Sequence, residues 1–234
     1  MPIDKSPANG AKLKRVNRAA PRESLLRRGN TRDPESTSAS ILAAAVREFT
    51  ERGYEGARVD NIASRAGVNK RMLYHYFGNK EALYVAVLEG SYASIRMAEH
   101  GLHLSDRDPV EGMTDLVRFT WQYYLAHPEF LSLLNTENLH RAKFLKRSAR
   151  IFELNSPLIE RISVLLERGA EQGVFRGDLD ALKVYVSIAA LGFFYLSNRW
   201  TLSTVFRRDL LAKEELDNWG RHMVDVTLSF LRRP

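Results

Sequence analysis

Apolar residues in this chain recur at the spacing of a helix, and no stretch alternates apolar and polar residues as a half-buried strand does. A first stripe, Ile41, Leu42, Ala45, Val46 and Phe49, predicts a helix that opens at Ser36 or Ser38, with serine as its cap, and stops at Gly53. A second stripe, Val59, Ile62, Ala63 and Ala66, stops at Gly67, with Val68 following as an apolar plug. Asn69 is placed to cap a short third helix in which Met72, Leu73, Tyr76 and Phe77 point inward. A long fourth helix is expected from about 79 to 100. Asp108-Pro109 opens a fifth that runs to about 126, His127-Pro128 interrupts it, and helix resumes to about 146. Ser156-Pro157 then opens a helix carrying Leu158, Ile162, Leu165 and Leu166 in phase and ending at Gly173. The most apolar helix opens at Asp178 and reaches about 200, and a last amphipathic one spans about 213 to 231. The expected fold is all-α.

Two short helices joined by a tight glycine turn form a helix-turn-helix when the second presents polar tips. Here the third helix turns Asn69, Lys70, Arg71, Tyr74 and His75 outward. Side chains of that kind meet base edges and phosphates when such a helix enters a DNA major groove. An ordinary helical hairpin in an all-α domain has the same outline.

The pieces in order point further. Ile41-Leu42-Ala43-Ala44-Ala45 with Phe49 and Gly53-Tyr54 come first. Val59, Ile62-Ala63, Ala66-Gly67-Val68, Leu73-Tyr74-His75-Tyr76-Phe77 and Lys80-Glu81 with Leu83 follow. Residues from about 38 to 90 thereby resemble the N-terminal domain of the tetracycline-repressor (TetR) family of bacterial regulators. The resemblance implies a three-helix helix-turn-helix domain at 36–83 and a helical effector-binding and dimerisation bundle at 84–234. It implies DNA contacts from Arg58, Asn69, Lys70, Arg71, Tyr74, His75, Tyr76 and Lys80, with Tyr74, Tyr76 and Lys80 anchoring the backbone. Arg58 departs from the family pattern, which usually has a capping Thr or Ser there.

Charge changes the picture mainly at one end. Residues 1 to 33 hold nine basic against three acidic residues, a net +6 of the whole chain's +7. Residues 1 to 35 are poor in large apolar groups and are expected to be a disordered basic tail. Such a tail is either an arm adding phosphate or minor-groove contacts or a solvated leader. The chain has no cysteine, no apolar run long enough to span a membrane and no secretory leader, which fits a cytoplasmic protein. No phosphate loop, nucleophile elbow or metalloprotease motif occurs, so neither an enzyme nor a cofactor is expected. His100 and His103 share a helix face, yet no third metal ligand clusters with them.

A helix apolar nearly all round, as at 179–200, must be covered on all sides. The resemblance implies that a second copy covers it, making a homodimer through the last two long helices. The body's polar-tipped aromatics suggest a small-molecule pocket, with Trp121, Asn135, Asn138, Arg141 and Phe194 as candidate effector contacts. Residues 130–138 and 191–198 resemble the family branch that regulates pyrimidine and nicotinate catabolism, which implies a small aromatic or N-heterocyclic effector. The function expected is a dimeric repressor released from a palindromic operator by a small ligand. An activator, or a regulator of the same family needing no ligand, is the alternative.

Overall fold

The first helix begins on a proline. In the computed structural model, which describes residues 33–232, α1 (Pro34–Gly56) is preceded by Asp33 with no side-chain cap bond. The basic tail expected over residues 1 to 35 lies outside the described residues except for its last three positions. Serine therefore does not cap this helix: Pro34, preset for the first turn, starts it instead, and Ser40 merely bonds back to the Ser36 carbonyl at 2.8 Å. The chain breaks at Gly53, whose φ of 64° and ψ of 179° are open to glycine and strained for other residues.

The next three elements follow local chemistry closely. α2 (Val59–Ala66) ends at Gly67 in the left-handed region, and α3 (Lys70–Phe77) starts where the Asn69 side chain accepts the Met72 amide at 2.8 Å. α4 (Lys80–His100) is capped in the same way by Asn79, and α5 (Pro109–Ala126) by Asp108, which accepts the Val110 and Glu111 amides.

Later boundaries depart from expectation. α6 (Pro128–Leu139) stops seven residues before 146, giving way to a turn with Arg141 and Ala142 at positive φ and a short 3₁₀ segment. α7 (Ala149–Glu171) starts at Ser148, not at Ser156, and carries Pro157 in its interior. Ser148 both accepts the Ile151 amide and donates to Glu89 of α4 at 2.6 Å, so the true cap is also a tertiary tie. The apolar helix is α8 (Ala181–Ser197), capped by Asp180, and Asn198 separates it from a further helix, α9 (Arg199–Phe206). α10 (Lys213–Leu231) closes the described chain.

Two apolar cores result. One joins Ile41, Phe49, Ile62 and Leu73 to Leu83, Tyr84, Val87 and Leu88 of α4, and is completed by Leu133 and Phe144 from beyond α5. The other packs Ile95 of α4 with Met113, Leu116 and Trp121 of α5, Leu158 and Ile162 of α7, Ile188 of α8 and Met223 of α10. α4 thus runs through both cores, with its first half in one and its second half in the other.

Candidate nucleic-acid interface

α3 is gripped along one side only. Leu73 is fully buried, Tyr76 and Phe77 are half-buried, and Lys70, Arg71, Tyr74 and His75 are exposed. Each helical residue turns about 100° from the last, so Met72 sits well round from Leu73 and is itself exposed, contrary to its expected inward position. The face offered to solvent is therefore basic and polar with Met72 at its edge.

What aims this face is a buried carboxylate. Arg58 supplies no side-chain cap to α2, and Glu48, fully buried on α1, compensates. Its Oε1 accepts the Arg58 backbone N–H at 3.2 Å and the Asn61 side-chain amide at 2.9 Å, with Arg52 and Arg65 at 3.5 and 3.6 Å. Burial pushes the Glu48 carboxyl up, but the Asn61 bond, the Arg58 amide and the two arginines outweigh it and hold the group below the usual carboxylate range. Negative charge at the N-terminus of α2 also suits the helix dipole.

The DNA-contact candidates fall into two states. Arg71 and Arg58 are exposed and make no ion pair or side-chain hydrogen bond among the described residues. Tyr74 is 38% exposed, and His75 packs edge-on to Tyr76 at 5.7 Å. The others are already engaged. Asn69 spends its side-chain oxygen on the α3 cap and keeps only its NH₂ free. Lys70 lies 3.0 Å from Asp60, whose hydrogen bond raises its pKa. Lys80 stands 4.7 Å over the Tyr54 ring and 3.4 Å from the Glu55 carbonyl, and its partial burial lowers its pKa.

The five effector candidates are not brought together. Trp121 is a core wedge: its Nε1 donates to the Leu216 carbonyl at 3.1 Å, and a Cβ on Gly220 would come within 2.8 Å of the indole. Phe194 is 58% exposed and lines a groove of about 460 Å³ between α8 and α10 and a second of about 580 Å³ beside α9. Asn135 and Asn138 sit on the outer side of α6, Asn135 reaching only Ser197 at 3.4 Å, while Arg141 is exposed in the turn beyond. α6 buries Phe130, Leu131, Leu133 and Glu137, and although residues 135 and 138 follow Leu131 at i+4 and i+7, both are exposed at the C-terminal end of the helix.

The polar groups that do meet inside the body carry no mark in the pattern. Arg96 and Glu99 of α4 are 6% and 1% exposed and 2.8 Å apart, and Arg96 Nη2 donates to the Tyr185 hydroxyl of α8 at 3.1 Å. A charged pair at i, i+3 in a helix ordinarily reads as a solvated face, which is why pattern alone passes over it. No group of three or more metal-ligating side chains is placed to hold a metal among the described residues.

Comparison with known proteins agrees with this geometry. Residues 41–87 match the model described as bacterial regulatory proteins, tetR family, and residues 109–227 match the tetracyclin repressor-like C-terminal domain. The HTH-type transcriptional repressor NicS of Pseudomonas putida is 40% identical over 199 residues, which is 85% of this chain and 94% of that one. The chain belongs to the tetR family.

The HTH-type transcriptional repressor SCO4008 of Streptomyces coelicolor is 42% identical over 108 residues, covering 46% of this chain and 53% of its own. Among solved structures, the putative transcriptional regulator SCO4942 of Streptomyces coelicolor aligns with a TM-score of 0.64 at 22% identity, over 85% of this chain and 99% of that one, a likeness of fold. In this tetR-family regulator the N-terminal match spans α1, α2, α3 and the head of α4, and the C-terminal match spans α5 through most of α10. Among the described residues no single helix is long and apolar enough to cross a membrane. α8 and α9 reach that length only as a pair bent by 67°.

Proposed function

We propose that this chain is a homodimeric transcriptional repressor that sets α3 of each subunit into the major groove of a two-fold operator and releases it when a small molecule enters the helical body. The reading rests above all on α3, an eight-residue helix clamped by Leu73 that turns Arg71, Tyr74 and His75 to solvent. Arg71 reads a base edge and Tyr74 steadies a phosphate. Lys70 and Lys80 reach phosphates by exchanging their present partners, and Arg58, Asn69 and Tyr76 complete the contact rim. NicS and SCO4008 are named repressors, which supports that direction of control.

The subunits join through the uncovered apolar faces of α8 and α10, where Leu182, Val186, Phe194, Val226 and Phe230 are exposed. A stable interface covers about 800 Å² per partner, and two long helices from each subunit supply that scale. The dimer holds two reading heads about 34 Å, or a multiple of it, apart. α4 is the lever: it crosses both cores, so a shift of its second half on ligand binding moves the head anchored to its first half.

The test is a gel shift with DNA flanking the gene. Wild type should bind a palindromic site, and Arg71→Ala or Tyr74→Ala should lose about tenfold or more in affinity with unchanged helical CD. Normal binding by both variants would sink the assignment. Phe194→Asp should sediment as a monomer and bind DNA weakly, and a persisting dimer would place the interface elsewhere. An activator would lower transcription from its promoter when deleted, whereas a repressor raises it.

A further inference from the structure

Among the described residues, the guanidinium of Arg96 is buried with two of its three nitrogens making no hydrogen bond. A structural Arg–Glu pair is commonly made as two parallel hydrogen bonds. This one is not: Arg96 Nη1 lies 2.8 Å from Glu99 Oε2, yet neither atom makes an aligned hydrogen bond, and Arg96 Nε has no hydrogen-bond partner among the described residues. Arg161 of α7 adds another buried Nε without a partner and is near enough to act electrostatically on Glu99. Buried donors left in this state are costly, so they mark either strain or a missing partner.

The surroundings describe that partner. Tyr185 takes one edge of the guanidinium by its hydroxyl, and its ring stands 5.5 Å away. Tyr92 of α4 and Tyr124 of α5 sense Arg96 and Tyr185 electrostatically, and neither hydroxyl makes a hydrogen bond among the described residues. Phe130 of α6 stands edge-on to Tyr92 at 5.5 Å and stacks with Tyr124 at 6.1 Å, so the polar tips are backed by ring faces. Gly192 lets the Tyr124 ring lie against α8, since a Cβ there would sit 3.1 Å from it. Burial raises the Glu99 carboxyl to about 7 against the pull of Arg96 and Arg161, so Glu99 is a weakly held counter-ion.

We propose that Arg96 is the anion anchor of an effector site enclosed by α4, α5, α6 and α8, and that its ligand is a small planar aromatic monocarboxylate. The ligand carboxylate accepts from the unpartnered Nε–H of Arg96, on the guanidinium edge away from Glu99, its ring lies among Tyr92, Tyr124 and Phe130, and the free tyrosine hydroxyls serve its remaining polar atoms. Glu99 turns toward Arg161. The site rests on the regulator reading above, because Arg96 and Glu99 both ride on the second half of α4, so re-pairing them moves the lever itself.

The test uses benzoate as the probe and benzamide as its uncharged counterpart, titrated calorimetrically into the full-length dimer. Benzoate should bind at least about tenfold more tightly than benzamide, the worth of one charge-assisted hydrogen-bond pair. Glu99→Gln should tighten benzoate about threefold or more, because it removes the competitor for Arg96. A purely structural pair predicts a loss or no change. Arg96→Met with Glu99→Gln, which leaves no orphaned carboxylate, should abolish the preference for the acid. The proposal is overturned if benzoate fails to bind, if benzamide matches it, or if the double variant binds like wild type. Gel shifts on wild type run beside these separate the two failures. DNA binding without benzoate binding removes the anchor alone, whereas no DNA binding removes the regulator reading whatever benzoate does.

Discussion

Glu48 in the DNA-facing half and the Arg96–Glu99 pair in the body are both charged groups shut away from water, and they differ in how far their polar atoms are met. Glu48 Oε1 is met by a backbone amide and a side-chain amide with Arg52 close by, while Oε2 has only Arg65 at 3.6 Å and makes no hydrogen bond. Arg96 and Glu99 share one close approach and leave donors and acceptors idle. A buried carboxylate oxygen that holds two N–H donors fixes geometry, here the angle between α1 and α2 that aims α3. An unsatisfied one costs free energy until a further partner meets it.

The largest expected effect breaks the first half of that contrast. Glu48→Ala orphans the Asn61 side-chain amide and the Arg58 backbone N–H and should cost about 3 kcal/mol in denaturant unfolding, with operator binding lost in parallel. If stability is unchanged, Glu48 is not the knot described. The paired change Arg96→Met with Glu99→Gln should instead cost less than about 1 kcal/mol or even stabilise, since a poorly made buried pair gives back its desolvation cost when replaced. Chemical unfolding of both variants side by side makes the comparison direct.

The smallest effect is a slope, and it sharpens the contrast by sign. Glu48 is held below its ordinary value, so its contribution is present above an unfolded pKa near 4.5 and is lost as pH falls through the lower folded value. Glu99 is raised to about 7, so its contribution is present below about 4.5 and fades as pH rises toward 7. Glu99→Gln should therefore flatten the decline in stability between pH 4.5 and 7. Glu48→Gln should instead flatten the loss on acidification below 4.5. Melting temperatures across a pH series separate them, and identical slopes in both variants would contradict the assignment.

Much of the fold was legible because its signals are local. Gly67, Asn69, Asn79 and Asp108 each do their work within three residues of their own position, so residue chemistry alone located those helix ends. Pro157 shows the limit. It reads as a helix start, yet α7 begins at Ser148, because Leu158, Ile162 and Leu165 are locked in the core and outweigh one missing amide bond. Met72 fell on the wrong side for a related reason: an eight-residue helix leaves little periodicity from which to fix its phase.

The site divides along the same line. The exposed row of α3 was readable because a single buried residue, Leu73, orients the whole helix. The effector candidates Asn135, Asn138, Arg141, Trp121 and Phe194 were chosen by residue type, and type does not say which way a helix faces in a bundle. By itself the sequence determined that the chain is helical, where several helices cap, and which short helix turns a basic and polar row outward. Only the tertiary structure decided that Glu48 aims that helix, that Trp121 is a wedge, and that Arg96 meets Tyr185 across 89 positions of chain. The physical reason is reach. Capping and periodicity act within a turn or two, whereas the burial of a charge depends on what several distant helices bring to it.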